Sequence, residues 1–461
     1  MPRLVVVSNR VALPGGSQAR AGGLAVGIRE ALQANGGLWF GWSGDIEEAV
    51  SPEPRTVSRG NITYAVTALT PAEHELYYAG YSNAALWPLL HFRLGLIEYR
   101  RNAAQAYFAV NRRFAAMLAP LIKPDDLIWV HDYHLIPLGS ALRELGIHNR
   151  IGFFLHTPFP PPEVMIALPR HERLIEAMCG YDIVGFQTDE NRDAFLRCVT
   201  QIGGGTAEND GGFVAFGRRG RAETFPIGID TEAFAEIARR SAGSAEIRRL
   251  EDSLNGRKLI LGVDRLDYSK GIPERFEAIE GLLTDSPEFR GQVTYLQITP
   301  HSRGEVSQYR ALRREIESLA GRINGRFAEF DWSPIRYVNR SFTRVSLAGF
   351  NRHARIGLVT PLRDGMNLVA KEFVAAQDPE DPGVLILSRF AGAAKELDTA
   401  LLVNPIDVDE IASALRRGLS MSLAERRARW EAMMTILKRN TIVTWRTNFL
   451  AALGNARLAA A

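Results

Sequence analysis

Cysteine is almost absent. Among 461 residues only Cys179 and Cys198 carry a thiol. Their spacing matches neither a redox pair nor a zinc knuckle, which excludes a disulfide-stapled scaffold and points to a reducing compartment, the cytoplasm. Long hydrophobic runs are lacking too. No apolar stretch approaches the ~18 residues that span a bilayer, and the short run inside "MPRLVVVSNR" is well below the length of a signal-peptide core, so no membrane partner is expected. Nor is there an excess of charge of one sign. Lys and Arg outnumber Asp and Glu only by 55 to 52, which removes any global reason to expect nucleic acid. Neither G-x-G-x-x-G nor G-x-x-x-x-G-K-[ST] occurs, so a nicotinamide or Walker-type site finds no support.

What is present reads as a folded globular protein, 46% hydrophobic and 23% charged. Its length predicts two domains, three at most, by the soft prior of ~150 residues each. Short apolar runs alternate with amphipathic segments: "RLVVVSN" then "LAVGIREALQA", "LIWVHD" then "IPLGSALRELG", "RIGFFLHTP" then "HERLIEAMCG", "IVGFQT" then "DENRDAFLRCVTQ". Strand, loop and helix repeated in this way predict a parallel sheet covered on both faces. The glycines and mixed charge of residues 201–222 read as a mobile hairpin outside the core, and 231–257 as a charged helical connector with little to bury. A second series follows in "KLILGVDRL", "QVTYLQITP", "ARIGLVTP", "GVLILSRF" and "ALLVNP". The fold class expected is α/β, with two doubly wound Rossmann-like domains facing each other across a cleft. Residues 1–240 form the first domain, 241–440 the second, and 441–461 a helical segment packing back on the first.

Most of the unusual chemistry follows the predicted strands directly. Arg10 ends the first, and Gly22 and Gly23 open the next helix, where backbone N–H groups can approach an anion. "WVHDYH" places His131, Asp132 and His134 at another strand end. Two histidines and a carboxylate could ligate a metal, but no H-E-x-x-H helix or second cluster accompanies them, and Asp132 suits sugar hydroxyls better. In "FFLHTPFPPPEV" the prolines forbid a helix, so His156 sits on a rigid extended loop. "GVDRLDYSKG" brings Arg265 and Lys270 to the mouth of a strand, either as a solvated turn with a surface ion pair or as a grip on a polyanion. "TPLRDGMNLVAKEFVAA" turns at Arg363, Asp364 and Gly365 and then starts a helix. Its N-terminus could take a phosphate, with Glu372 facing a ribose diol, or it could be a capped helix with a surface Lys-Glu pair.

Taken together these segments closely resemble the trehalose-6-phosphate synthase family, retaining glycosyltransferases of the GT-B fold. The resemblance runs in order through "RLVVVSNR", "AGGLAVGI", "GGLWFGWSG", "YSNAALWP", "WVHDYHL", "GFFLHTPFP", "DRLDYSKG", "SRGEV", "AGRINGRF" and "VTPLRDGMNLVAKEFVAAQ". It implies transfer of glucose from a nucleotide sugar, usually UDP-glucose, to glucose 6-phosphate, giving α,α-trehalose 6-phosphate. It also implies roles for residues. Arg10, Tyr78, Trp87, Asp132 and Arg303 fall where the family holds the acceptor, Arg10 and Arg303 at its phosphate. Gly22 and Gly23 fall where backbone meets the bound substrates, acceptor and donor. Arg265 and Lys270 fall at the donor diphosphate. His156, Asp364 and the segment Asn367, Leu368, Val369, Ala370, Lys371 surround the donor sugar and phosphates, Glu372 takes the ribose, and Phe342 lies near the base. Arg265, Lys270, His156 and Asp132 are the catalytic candidates. No cofactor and no metal are expected, and a homo-oligomer is compatible with the reading.

A covalent intermediate would need a carboxylate on the sugar face opposite the leaving group, and none suggests itself. Front-face displacement, inferred for the family, fits the residues present: the leaving phosphate oxygen takes the acceptor's proton while Arg265 and Lys270 stabilise its charge. Three other functions compete. A polymer synthase of the same fold would have no use for Arg10 and Arg303, a silent sugar-phosphate sensor would not need the full catalytic set, and a dehydrogenase would need the absent dinucleotide fingerprint.

Overall fold

The computed structural model describes residues 2–13, 27–29, 31–33, 36–300 and 307–456. The chain divides into two compact units, Met1–Pro226 with Val443–Ala461, and Ile227–Ile442.

Among the described residues of the first unit, ten strands form one sheet. They are β1 (Leu4–Arg10), β2 (Gly37–Ile46), β3 (Arg55–Arg59), β4 (Ile62–Leu69), β5 (Leu127–His131), β6 (Ile151–Phe154), β7 (Ile183–Phe186), β8 (Thr206–Ala207), β9 (Gly212–Ala215) and β10 (Arg218–Thr224). Their order is β3-β4-β2-β1-β5-β6-β7-β10-β9-β8. The pairs β3–β4, β10–β9 and β9–β8 are antiparallel and the rest parallel. Counted along the chain, the six central parallel strands, β4-β2-β1-β5-β6-β7, read 3-2-1-4-5-6, the doubly wound order. Leu4 to Ser8 of β1 and all of β6 and β7 are buried, as strands covered on both faces must be. Part of that cover comes from the far end of the chain. On the helix Ile442–Asn455, Phe449 stacks on Trp129 at 4.8 Å and lies over Gly152 and Gly185, where an added Cβ would run into its ring.

The Gly-rich stretch 201–222 departs from the mobile hairpin expected. β8 to β10 extend the sheet, β10 pairs with β7, and Phe213 and Ala222 are buried. The glycines serve close packing here: Gly220 lies against the Phe213 ring and the Tyr181 carbonyl, leaving no room for a Cβ.

Six parallel strands make the second sheet: β11 (Lys258–Val263), β12 (Val293–Ile298), β13 (Ile335–Val338), β14 (Ile356–Val359), β15 (Val384–Ser388) and β16 (Leu401–Val403). The order β13-β12-β11-β14-β15-β16 is again 3-2-1-4-5-6. The helix Ile272–Asp285 packs on Ser307–Phe327 and Val408–Ser420, while Thr231–Ser241 packs on Arg344–His353 and Leu368–Ala376. Residues 231–257 are therefore more than a connector: Phe234, Ala238, Ile247 and Leu254 are buried in this unit. No described helix is long and apolar enough to cross a membrane.

Strand order reverses between β1 and β5 in one sheet and between β11 and β14 in the other. In open α/β sheets ligands bind outside the carboxyl ends of the strands at such a reversal.

Candidate active site

The first reversal is framed by Arg10, closing β1, and by His131 and Asp132, closing β5. Ser8 accepts from Trp39 Nε1 at 2.8 Å and donates to the Arg10 carbonyl at 2.9 Å, and Tyr77 donates to Asn9 Oδ1 at 2.7 Å. The end of β1 is thus held from both sides, and the exposed Arg10 guanidinium lies over the Trp42 ring, 5.4 Å from its centroid. Gly44, at φ 97°, leaves the space that this guanidinium fills.

Asp132 has φ 74° and ψ 165°, a region that only glycine enters readily, and such strain gathers at functional sites. One of its carboxylate oxygens accepts from the His156 amide at 3.3 Å. His156 Nε2 meets Nδ1 of the buried His131 at 3.1 Å. Burial holds His131 well below the ordinary imidazole range and takes His156 down to about 3, so both rings are neutral. Tyr78 comes from a π-helix, His74–Leu86, stacks on His134 at 5.8 Å and packs at a steep tilt against Trp42 at 5.3 Å. Trp87 follows it, mostly buried against His91 and Tyr133. Gly22 and Gly23 lie outside the described residues, as does Arg303 in the second unit.

At the second reversal, Lys270 is buried and its Nζ lies 2.6 Å from Asp364 Oδ2. Burial alone would lower its pKa, but Asp364, Asp264 and Asp267 outweigh that and leave it raised, so the ammonium is fully charged. Lys270 is therefore not part of a surface ion pair on a solvated turn. Asp267 accepts from the Ser269 amide at 3.0 Å, the Ser269 hydroxyl at 2.8 Å and Tyr309 at 3.3 Å, fixing the turn. Arg265, two residues before it, is exposed.

Asp364 also accepts from Asn367 Nδ2 at 3.0 Å, and Asn367 Oδ1 caps the helix Leu368–Ala376 by accepting from the Ala370 amide at 3.2 Å. Leu368 and Val369 are half-buried in its first turn. Lys371 departs from its expected place at the donor. Its ammonium is buried, donating to the Ile227 carbonyl at 2.7 Å and pairing with Glu396. Glu372 is half-buried, and burial pushes its carboxyl up to about 7 against the lowering effect of Arg344. Phe342 packs edge-on against Phe350 at 5.1 Å beneath the Arg340 guanidinium.

Sequence reasoning missed the group that organises this end of the sheet. Arg275 is fully buried and pairs with Asp264 at 2.8 Å. It also donates to Thr360 Oγ1 at 2.9 Å and to the Lys270 carbonyl at 2.8 Å. One side chain therefore ties the loop after β11 to the end of β14. The local signal was a cation one turn into a helix, where the macrodipole disfavours it. Among the described residues no group of three or more His, Cys, Asp or Glu is placed to hold a metal ion.

A sequence profile of glycosyltransferase family 20 matches residues 6–455. A trehalose-6-phosphate synthase of Sinorhizobium fredii is 52% identical over 453 residues, 98% of each chain. Among solved structures, a UDP-forming α,α-trehalose-phosphate synthase of Burkholderia xenovorans in complex with glucose 6-phosphate superposes with a TM-score of 0.94. It is 49% identical, and the match covers 98% of this chain and all of that one. The E. coli protein bound with UDP-2-fluoro glucose gives a TM-score of 0.93 at 48% identity, covering 98% of this chain and 99% of that one.

Proposed function

This chain belongs to glycosyltransferase family 20, and from that premise we propose how its residues divide the work of the reaction. It is a trehalose-6-phosphate synthase, transferring glucose from UDP-glucose to glucose 6-phosphate with retention of the α configuration. The observation that carries the division is the position of Lys270, charged and 2.6 Å from Asp364, where strand order reverses between β11 and β14.

On the donor, Lys270 and Arg265 hold the diphosphate, and the Leu368 and Val369 amides meet phosphate oxygen at a helix N-terminus. Glu372 accepts from the ribose hydroxyls and Phe342 walls the base. Asp364, held by Lys270 and Asn367, and His156 take the hydroxyls of the transferred glucose. On the acceptor, Arg10 and Arg303 bind the 6-phosphate, and Tyr78, Trp87 and Asp132 hold the sugar.

Bond breaking between the anomeric carbon and the phosphate oxygen puts negative charge on that oxygen. Lys270 and Arg265 stabilise the charge, which is larger in the transition state than in the bound donor. The same oxygen takes the proton of the acceptor's 1-hydroxyl, whose oxygen bonds to the anomeric carbon from the same face. A double displacement would need Asp364 as nucleophile, a role unsuited to a carboxylate already paired with a cation and an amide. The buried free thiols of Cys179 and Cys198 suit a reducing compartment, and we place the reaction in the cytoplasm.

Turnover of UDP-, ADP- and GDP-glucose with glucose 6-phosphate, with the product analysed by NMR, tests the reading. The expected result is an α,α-1,1 linkage, made fastest from UDP-glucose. A β linkage at either anomeric carbon would refute it.

A further inference from the structure

His131 and His156 meet through Nδ1 and Nε2 at 3.1 Å. Both rings are neutral, so each carries one N–H, and the contact can be arranged in two ways. If His156 donated, His131 would carry its proton on Nε2. That nitrogen is buried and has no hydrogen-bond partner, so the proton would be stranded, a third unpartnered buried donor beside the indole N–H groups of Trp129 and Trp445. If His131 donates instead, its Nε2 presents only a lone pair. The surroundings fit this second arrangement. Trp129 and Trp445 pack on His131 at 4.5 and 6.2 Å, and the polar atom each indole carries is a donor, itself buried and without a partner.

We infer that His131 donates its Nδ1 proton to Nε2 of His156 and thereby fixes the proton of His156 on Nδ1. His131 is then a positioning residue. The consequence for substrate rests on the placement of His156 at the transferred glucose. There His156 offers a single N–H, as a donor to a hydroxyl oxygen, and has no lone pair with which to take the acceptor's proton. The base must be another atom, as the transfer to the leaving phosphate oxygen requires.

Selective ¹⁵N-histidine labelling of the full chain, read by long-range ¹H–¹⁵N correlation, gives the tautomer of each ring. His131→Asn and His156→Gln identify the resonances. Both rings are expected to carry the proton on Nδ1, and a His156 protonated on Nε2, or on both nitrogens at pH 7, overturns the inference. This readout needs no substrate, so it is separate from the role of His156. Adding UDP-glucose tests that role: the His156 Nδ1 resonance should move, and an unmoved resonance with the expected tautomer refutes the placement at the sugar alone. In kinetics, His131→Asn keeps an N–H near the position of Nδ1 and should retain most of the kcat that His131→Leu loses. The Leu variant should fall by roughly tenfold, the worth of about one hydrogen bond, with acceptor KM unchanged. Equal losses in the two variants would overturn the positioning role.

Discussion

Lys270 Nζ lies 2.6 Å from Asp364 Oδ2, and the carbonyl of the same lysine accepts from Arg275 at 2.8 Å. This lysine is thus fixed both at its tip and at its backbone.

Removing the tip should slow chemistry more than binding. Lys270→Ala is expected to lower kcat at saturating UDP-glucose on the order of 100-fold or more, the loss typical of an oxyanion donor. Lys270→Arg should recover little, since a planar fork does not occupy the place of a compact ammonium. A raised donor KM with unchanged kcat would reduce the lysine to a binding residue.

Removing the support should cost stability. Arg275→Met leaves Asp264 buried beside a missing cation and should destabilise the enzyme by about 3–5 kcal/mol in urea titration. Adding Asp264→Asn removes the stranded charge and should restore part of that. A double variant no more stable than the single one would show that the ion pair is not the source.

The carboxyl of Glu372, at about 7, predicts a pH effect on the donor. Above that value it is an anion able to accept two ribose hydroxyls, and below it one oxygen is blocked by a proton. Donor KM should therefore rise as pH falls from 8 to 6, and Glu372→Gln should show a KM that is higher and flat across this range. A wild-type donor KM independent of pH would remove Glu372 from the ribose.

For the acceptor, Arg10→Ala should raise the KM for glucose 6-phosphate by roughly 10- to 100-fold, the worth of a hydrogen bond to a charged group. Activity toward unphosphorylated glucose should suffer far less. Equal losses on the two sugars would mean that Arg10 shapes the site without reading the phosphate.

The backbone at Asp132 gives a prediction that separates stability from activity. Asp132→Ala and Asp132→Gly both delete the carboxylate and should both be nearly inactive. Only glycine is at ease at φ 74° and ψ 165°, so the Gly variant should be more stable than the Ala variant by about 1–3 kcal/mol. An Ala variant as stable as the Gly one would show that the loop relaxes freely.

Most of the doubly buried strands were legible because they are nearly continuous apolar runs: β1, β5 to β7, β11, β12 and β14 to β16 all stood out. β2, β4 and β13 are absent from that alternation. "GLWFGWSGDI" mixes glycine and tryptophan with no β-branched residue before its last position, and "IRYV" is a four-residue edge strand, partly exposed. The charged residues after each strand were legible for the same reason, since a cation ending an apolar run is conspicuous. Arg275 was not, because an arginine inside a helix reads as surface. The π-helix carrying Tyr78 was not either. Its wider turn accompanies long-range packing, with Tyr77 stacked on Tyr107 and Tyr81 tilted against it, which local sequence does not encode.

The C-terminal helix bears on how this protein is made. The first unit is built from Met1–Pro226 and completed by Val443–Ala461. At ~5–20 residues per second, a ribosome needs on the order of ten to forty seconds to add the residues between. Throughout that interval the Trp129 face and the grooves over Gly152 and Gly185 wait without Trp445 and Phe449. Until the helix Ile442–Asn455 has been translated, that apolar face of the sheet is without the cover that Trp445 and Phe449 give it in the folded protein.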